Sequence, residues 1–154
     1  MKTYDRLFGA GPRGALLSIA LLCLAWQLET RLDLPTLIES SDLRLSVIVL
    51  LVISGLGLIG WSLLALPPGE RGRELVSSGP FRFIRHPLYA AFVVCLNPAF
   101  ALVLNNWVYL VWAVLLYPAW SLNVIREEKL MLNEFGDAYA EYCRRSGRFL
   151  PRVF

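Results

Sequence analysis

Two long stretches without a charged residue constrain this sequence more than any other feature. Leu45–Leu66 covers 22 residues without a charge, and Trp107–Ile125 covers 19. About 20 apolar helical residues cross the roughly 30 Å hydrocarbon layer of a bilayer. Of the 154 residues, 56% are hydrophobic and 18% are charged, whereas soluble domains have roughly 45–50% and 25%. The sequence therefore predicts an integral membrane protein and excludes a water-soluble enzyme or a disordered chain.

Two further apolar segments bring the number of predicted membrane spans to four. The first, Gly14–Leu34, follows a basic start that resembles a signal peptide. No small-x-small cleavage site comes after its apolar run, so we expect a retained helix. The other segment, Pro87–Leu104, begins with a proline, which suits the first position of a helix. The fourth span starts at Trp107.

Turn and breaker residues predict how these spans are connected. Pro67-Pro68-Gly69 ends the second span. Asn105-Asn106 leaves so short a turn that the third and fourth spans must form a tight antiparallel hairpin. Pro98 and Pro118 should each kink the span that contains them, because a proline removes a backbone donor.

The fourth helix is expected to continue beyond the membrane. Its pattern extends to Phe135, with Gly136 as the C-cap, and a last short helix covers about Ala138–Arg145. We therefore predict an all-α integral membrane protein with four transmembrane helices and a cytosolic C-terminal helical extension. Residues 1–66 hold the first two spans, and residues 67–154 hold the other two together with most of the chemically interesting side chains.

The basic residues predict the orientation of the chain. All but two of the 15 Lys and Arg residues lie in the N-terminus, the 67–86 connection or the C-terminal segment, the exceptions being Arg31 and Arg44. Since Lys and Arg are enriched in cytoplasmic loops, we expect both termini to face the cytoplasm. The basic residues cluster at segment ends and not on one surface, so nucleic acid is not an expected partner.

The first of two polar blocks, residues 73–89, leads into the third span. The residue before a proline is pushed away from helical conformation, which holds Arg85 and His86 beside the first turn of that span. Free N–H groups and the positive end of the helix dipole favour anions there. The same side chains also suit a simpler role as interfacial anchors, with Tyr89 in an aromatic belt.

The second polar block begins at Arg126 and closes at Pro151. Its adjacent glutamates, Glu127 and Glu128, are candidate acceptors or bases, although they also suit a solvated surface on which exposed ion pairs contribute on the order of 0–1 kcal/mol. The chain has a single histidine. A metal site built from several His and Cys ligands is therefore not predicted.

Together the two blocks resemble a known family. Ser78–Tyr89 has the sequence SGPFRFIRHPLY, the pair Glu127-Glu128 follows, and then come FGDAYAEY at Phe135–Tyr142 and Pro151. This combination resembles the isoprenylcysteine carboxyl methyltransferase family and the related membrane phospholipid methyltransferases. The resemblance covers about residues 66–151.

The resemblance implies an S-adenosylmethionine-dependent methyltransferase that transfers a methyl group to a lipophilic acceptor drawn from membrane lipid. By position it implies cofactor contacts within the first block, at Arg73, Glu74, Leu75, Val76, Phe81, His86, Pro87, Leu88 and Tyr89. It places Glu127 at the substrate end of the site, and we predict Glu127, Arg126 and Asn123 as the catalytic residues.

Three positions depart from the family pattern. Phe81 stands where the family often has tyrosine, and Ala91 stands where a glycine is common. Asn123 stands where an arginine often precedes the paired glutamates, with Arg126 nearby instead. This last change weakens the prediction of a prenylcysteine carboxylate as the acceptor.

The chemistry of methyl transfer is compatible with these residues. The donor is a sulfonium cation, which the aromatic face of Tyr89 or Phe81 can stabilise. Its carboxylate requires donors such as Arg85 or His86. Its ribose hydroxyls require acceptors, for which the candidates are Glu74, Glu127 and Glu128. An amine acceptor would also need deprotonation, which Glu127 could perform if burial raised its pKa.

Two other functions fit the same residues. A membrane reductase of the sterol C14-reductase type binds NADPH and resembles these blocks in its C-terminal portion, but it has many more than four spans. A non-enzymatic helical subunit would use both blocks only as interfacial anchors. The sequence does not distinguish between a prenylated cysteine, a phospholipid amine, an isoprenoid acid and a small thiol as the methyl acceptor. It also predicts no oligomeric state.

Overall fold

A computed structural model of the protein describes residues 10–66 and 75–152. The predicted site residues Arg73 and Glu74, and the breaker Pro67-Pro68-Gly69, lie outside the described residues. The described helices are α1 (Gly11–Glu29), α2 (Ser41–Ala65), α3 (Pro87–Leu104), α4 (Trp107–Asn123) and α5 (Ile125–Arg145), with a short 3-10 turn at Gly79–Arg82.

Four helical segments of the described chain are long and apolar enough to cross a membrane. They are α1, α2, α3 and the segment that α4 and α5 form together. The prediction of an all-α integral membrane protein with four spans is confirmed. Because consecutive spans alternate in direction, the start of α1, the end of α2, the start of α3 and the end of α4 lie on the same side.

The first two helices begin earlier than predicted. α1 starts at Gly11 and not at Gly14, with Pro12 in its first turn, and it ends at Glu29 and not at Leu34. α2 starts at Ser41 because the side chain of Ser40 accepts a hydrogen bond from the Leu43 N–H at 3.4 Å, which is the usual role of an N-cap serine.

The predicted hairpin of the third and fourth spans is present. Asn105 adopts the left-handed conformation (φ 54°), which asparagine tolerates better than most residues. The Asn106 side chain then caps α4 by accepting from the Val108 N–H at 3.0 Å. Asn105 also exchanges side-chain hydrogen bonds with the backbone of Ile38, at 3.1 and 3.2 Å, and so ties the α1–α2 connection to this turn.

The two prolines are accommodated differently. Ahead of Pro98, α3 widens into a π-helical stretch at Ala91–Leu96, which adapts the helix to the missing donor and the bulk of the proline ring. α4 continues through Pro118 to Asn123.

The predicted continuous helix to Phe135 is interrupted. Val124 separates α4 from α5, and its ψ of −11° departs from regular helix. Within α5, Gly136 has φ 53° and ψ −129° and bends the helix where we predicted its end. Only glycine adopts such a conformation without strain.

Two glycines allow the helices to approach closely. A Cβ atom on Gly14 would lie 2.5 Å from the Trp120 ring, so α1 and α4 touch through this residue. A Cβ atom on Gly55 would lie 2.9 Å from the Leu96 side chain, so α2 contacts α3 in the same way. The polar groups described next lie at the end of the bundle where α1 and α3 begin.

Candidate functional site

The segment before α3 pairs with the chain that follows α5. The N–H groups of Arg85 and His86 donate to the carbonyls of Gly147 and Arg148 at 2.8 and 3.1 Å, and the Gly147 N–H donates to the Phe83 carbonyl at 3.0 Å. A Cβ atom on Gly147 would lie 1.8 Å from the Leu150 carbonyl oxygen, so the chain can turn there only with glycine. This pairing brings the two polar blocks together.

An ion cluster lies directly beneath this pairing. Arg85 Nε donates to Glu128 Oε1 at 3.1 Å, and Arg148 donates to both Glu128 oxygens, at 3.0 and 2.5 Å. Arg85 Nη1 donates to the carbonyls of Ser146 and Cys143 at 2.5 and 3.2 Å. Charge-assisted hydrogen bonds of this kind hold both blocks in one arrangement.

The Glu128 carboxylate is kept ionised by these neighbours. Burial by itself raises the pKa of Glu128, but the guanidinium groups of Arg148 and Arg85, which donate to its carboxylate, outweigh it. The pKa of Glu128 is therefore held well below its usual range. Its oxygens accept from two arginines, one from each polar block.

His86 is buried at the centre of the site. Its residue surface is 8% exposed, and its ring stacks on Tyr89 with centroids 5.6 Å apart and an interplanar angle of 13°. Nδ1 lies 4.0 Å from Glu127 Oε1, and Nε2 lies 3.4 Å from Glu128 Oε1. That second contact lacks hydrogen-bond geometry, so Nε2 is a buried polar atom without a hydrogen-bond partner.

Glu127 has different neighbours from Glu128. Its Oε2 accepts from the Ala10 N–H at 3.0 Å and from the Tyr89 hydroxyl at 3.3 Å. The side chain is 29% exposed, against 14% for Glu128. Asn123 donates from Nδ2 to the Ala10 carbonyl at 2.8 Å. The carboxylate of Glu127 is thus bound by neutral donors and remains partly accessible.

Aromatic rings enclose the histidine and the tyrosine. The Trp120 ring lies 5.0 Å from that of Tyr89, and the Phe149 ring lies 6.1 Å from that of His86. Tyr117 packs edge-on against Phe149 at 5.7 Å. Such rings exclude water on one side and offer π faces to a cation.

The structure therefore brings together some predicted site residues and leaves others aside. Those at the centre are Asn123, Glu127, Arg85, His86, Tyr89 and Glu128. Pro87 and Leu88 form the first turn of α3, and Arg126 is exposed beside Glu127. Phe81 is buried in the 3-10 turn, where its carbonyl accepts from the Tyr142 hydroxyl at 2.7 Å. Leu75 and Val76 are half-buried ahead of that turn.

Four residues of the site were not predicted: Ala10, Trp120, Arg148 and Phe149. Ala10, Trp120 and Phe149 belong to no recognisable motif. Only the positive charge of Arg148 indicated a possible ion-pair partner for the paired glutamates. They reach the site because helices distant in sequence pack together.

Comparison with known proteins gives consistent matches. A family model described as phospholipid methyltransferase matches residues 44–138, more than half of the chain. The cobalt-zinc-cadmium resistance protein CzcN of Cupriavidus metallidurans is 36% identical over 88 residues, which cover 55% of this chain and 39% of CzcN. The nickel-cobalt-cadmium resistance protein NccN of Alcaligenes xylosoxydans xylosoxydans is 33% identical over 88 residues, with the same coverage.

These matches are partial for the named relatives. The aligned part spans about two-fifths of the length of CzcN and of NccN. In the portion of the chain that the structure describes, no group of three or more His, Cys, Asp or Glu side chains could hold a metal ion.

Proposed function

Because this chain belongs to the phospholipid methyltransferase family, we propose that it is an S-adenosylmethionine-dependent membrane methyltransferase acting on a lipophilic acceptor. We place its site at the end of the bundle where His86, Tyr89 and Glu127 meet. By the distribution of Lys and Arg, we also propose that this end faces the cytoplasm, where the cofactor is dissolved.

The observation that carries the proposal is the unpartnered Nε2 atom of His86. Buried polar atoms in proteins are nearly always hydrogen-bonded, and leaving one unpaired costs about 1–3 kcal/mol. The atom lies beside the stacked Tyr89 ring, with the Glu127 carboxylate on the other edge of the imidazole. A ligand with hydrogen-bonding groups and a cationic centre could bind His86 Nε2, the Tyr89 ring and the Glu127 carboxylate at the same time.

The residues present fit this cofactor. His86 Nε2 and the free N–H groups of the first turn of α3 would hold its amino-acid portion. The faces of Tyr89 and Trp120 would lie near its positive charge. When bound, S-adenosylmethionine supplies a methyl group activated by a sulfonium centre. The protein's main contribution is to orient the acceptor in line with that group and to exclude water.

Arg85 and Glu128 support the site without entering it. Arg85 donates to Glu128 and to the carbonyls of Cys143 and Ser146, and Glu128 accepts from both Arg85 and Arg148. We therefore propose that they hold His86 in place and do not contact the cofactor, in contrast to the role that the sequence suggested for them.

The charges favour a neutral or cationic acceptor over a carboxylate. Arg85 and Arg148 both pair with Glu128, so neither presents a free positive charge to a carboxylate. Glu127, by contrast, offers a partly exposed anion. An amine headgroup could donate to it and pass it a proton before attack. We propose a lipid amine as the first acceptor to test.

Calorimetry with the purified protein in detergent tests the cofactor. We expect S-adenosylhomocysteine to bind, NADPH not to bind, and His86→Ala to weaken binding by about tenfold or more, because a hydrogen bond to a charged group is worth about 1.5–3 kcal/mol. Asn133→Ala, exposed on α5, is the matched control and should bind normally. Binding of NADPH alone would favour a membrane reductase, and binding of neither ligand would favour a non-enzymatic subunit.

Radiolabelled methyl donor with total membrane lipid tests the acceptor. We expect label in lipids with an amine headgroup and a loss of labelling in Glu127→Gln. Label confined to carboxylate acceptors would contradict the assignment of Glu127.

The names of CzcN and NccN refer to metal resistance in those proteins. A contribution of this chain to metal tolerance is a separate proposal. Growth of a deletion strain on cobalt, zinc, cadmium or nickel tests it.

A further inference from the structure

The first helix lies outside the residues that the family model matches, yet its start takes part in the site. The match begins at residue 44, whereas α1 ends at Glu29. Ala10, immediately before α1, is 6% exposed and donates its N–H to Glu127 Oε2 at 3.0 Å. The same N–H lies 3.1 Å from the Tyr89 hydroxyl oxygen.

The other backbone group of Ala10 is held as well. Its carbonyl accepts from Asn123 Nδ2 at 2.8 Å and from the Gly14 N–H at 3.0 Å. Asn123 is the last residue of α4 and is half-buried. A single residue thus links the end of α4 to the carboxylate of Glu127, four positions further along the chain.

Packing between α1 and α4 fixes the position of α1 along α4, and with it the position of Ala10 in the site. Gly14 sits against the Trp120 ring, and one turn further Ser18 receives two indole hydrogen bonds. Trp120 Nε1 donates to Ser18 Oγ at 2.9 Å, and Trp112 Nε1 donates to the Ser18 carbonyl at 3.1 Å. α1 can therefore not slide along α4 without breaking both bonds.

We propose that the start of α1 is a wall of the active site and that Asn123 is a positioning residue that acts on Glu127 through Ala10. Asn123 holds the Ala10 carbonyl, and this orients the Ala10 N–H toward the carboxylate. Without that bond the start of α1 frays and Glu127 loses one of its two neutral donors. The catalytic meaning of this link rests on the proposed function.

Hydrogen exchange tests the structural half of the proposal without any ligand. We expect Asn123→Ala to accelerate exchange of the Ala10 amide by about fivefold, the effect of losing one hydrogen bond of roughly 1 kcal/mol. Asn123→Asp, which keeps the shape but removes the donor, should act alike if the alanine variant folds poorly. Asn133→Ala is the control. Unchanged exchange in both Asn123 variants would overturn the proposal.

A double-mutant cycle tests whether Asn123 acts through Glu127. We expect Asn123→Ala to weaken S-adenosylhomocysteine binding by about fivefold in the parent protein and to have no further effect in Glu127→Ala. A merely structural role would make the two losses additive, and additive losses would contradict the link. If the parent protein does not bind S-adenosylhomocysteine, the proposed function fails, and the exchange measurement alone decides whether Asn123 holds α1.

Discussion

At the scale of single residues, two adjacent glutamates have separate environments. Consecutive residues on a helix point about 100° apart, so Glu128 faces Arg85 and Arg148 while Glu127 faces Ala10 and Tyr89. One carboxylate is neutralised by two guanidinium groups, and the other accepts only from neutral donors. This division lets the pair supply both a rigid support and an accessible anion.

Replacement of Glu128 should destabilise the fold. In Glu128→Gln, Arg85 and Arg148 would keep their partly buried charges without a counter-ion, and we expect a loss of about 2–3 kcal/mol. Thermal unfolding in detergent measures the change. Glu141→Gln is the control, because Glu141 pairs with Arg144 and Arg145 at the surface, where ion pairs contribute little. Equal stability of the parent protein and Glu128→Gln would contradict the support role.

The stabilisation of the fold by Glu128 should decrease at low pH. The pKa of Glu128 is lower in the folded protein than in the unfolded chain, so its stabilisation is complete above the unfolded pKa of about 4.3. It is lost as the pH falls from there toward the folded pKa. The stability difference between the parent protein and Glu128→Gln should therefore be constant from neutral pH to about pH 5 and shrink in stronger acid.

At the scale of helices, close contacts through glycine set where α1 and α2 lie. Gly14 and Gly55 meet side chains of neighbouring helices, whereas nothing lies within 4 Å of a Cβ atom built on Gly57 or Gly60. The sequence showed three glycines on α2 without distinguishing which one packs. The distinction arises from the face that α2 turns toward α3.

This contrast predicts the outcome of paired substitutions. Gly14→Ala would place a methyl group 2.5 Å from the rigid Trp120 ring, and we expect a loss of about 1–3 kcal/mol from overpacking together with weaker contact between Ala10 and Glu127. Gly57→Ala should be neutral or slightly stabilising, since alanine favours helix more than glycine does. Unfolding midpoints and S-adenosylhomocysteine affinity measure both effects. A neutral Gly14→Ala would show that α1 packs elsewhere.

At the scale of the whole molecule, the two ends of the bundle differ in chemistry. One end carries the ion cluster, His86 and Glu127, and it receives residues from α1, α3, α4 and α5. The other end is closed by hydrogen bonds between Asn105 and the α1–α2 connection. A site formed at one end of a bundle can meet a water-soluble cofactor while its acceptor approaches from the lipid.

Cysteine labelling tests the proposed orientation of these ends. In a background with Cys23, Cys95 and Cys143 replaced, we expect a membrane-impermeant maleimide to label Arg31→Cys in intact cells. Arg82→Cys, exposed at the opposite end, should react only after the membrane is opened. The physical reason is the excess of Lys and Arg at the Arg82 end. The reverse pattern would place the site on the outer side.

By itself, the sequence determined the number of spans, the hairpin at Asn105-Asn106 and the presence of two polar blocks that resemble one family. These features depend on local properties: runs of apolar residues, breakers and turn residues. They place helix ends within a few residues, as the earlier starts of α1 and α2 illustrate.

Only the tertiary structure decided which side chains form the site. Ala10 meets Asn123 and Glu127 across 113 and 117 positions of sequence. Glu128, adjacent to Glu127, instead accepts from Arg85 and Arg148. Such contacts depend on how the surfaces of whole helices fit together. No local pattern in the chain encodes that fit, because it arises only when the helices pack.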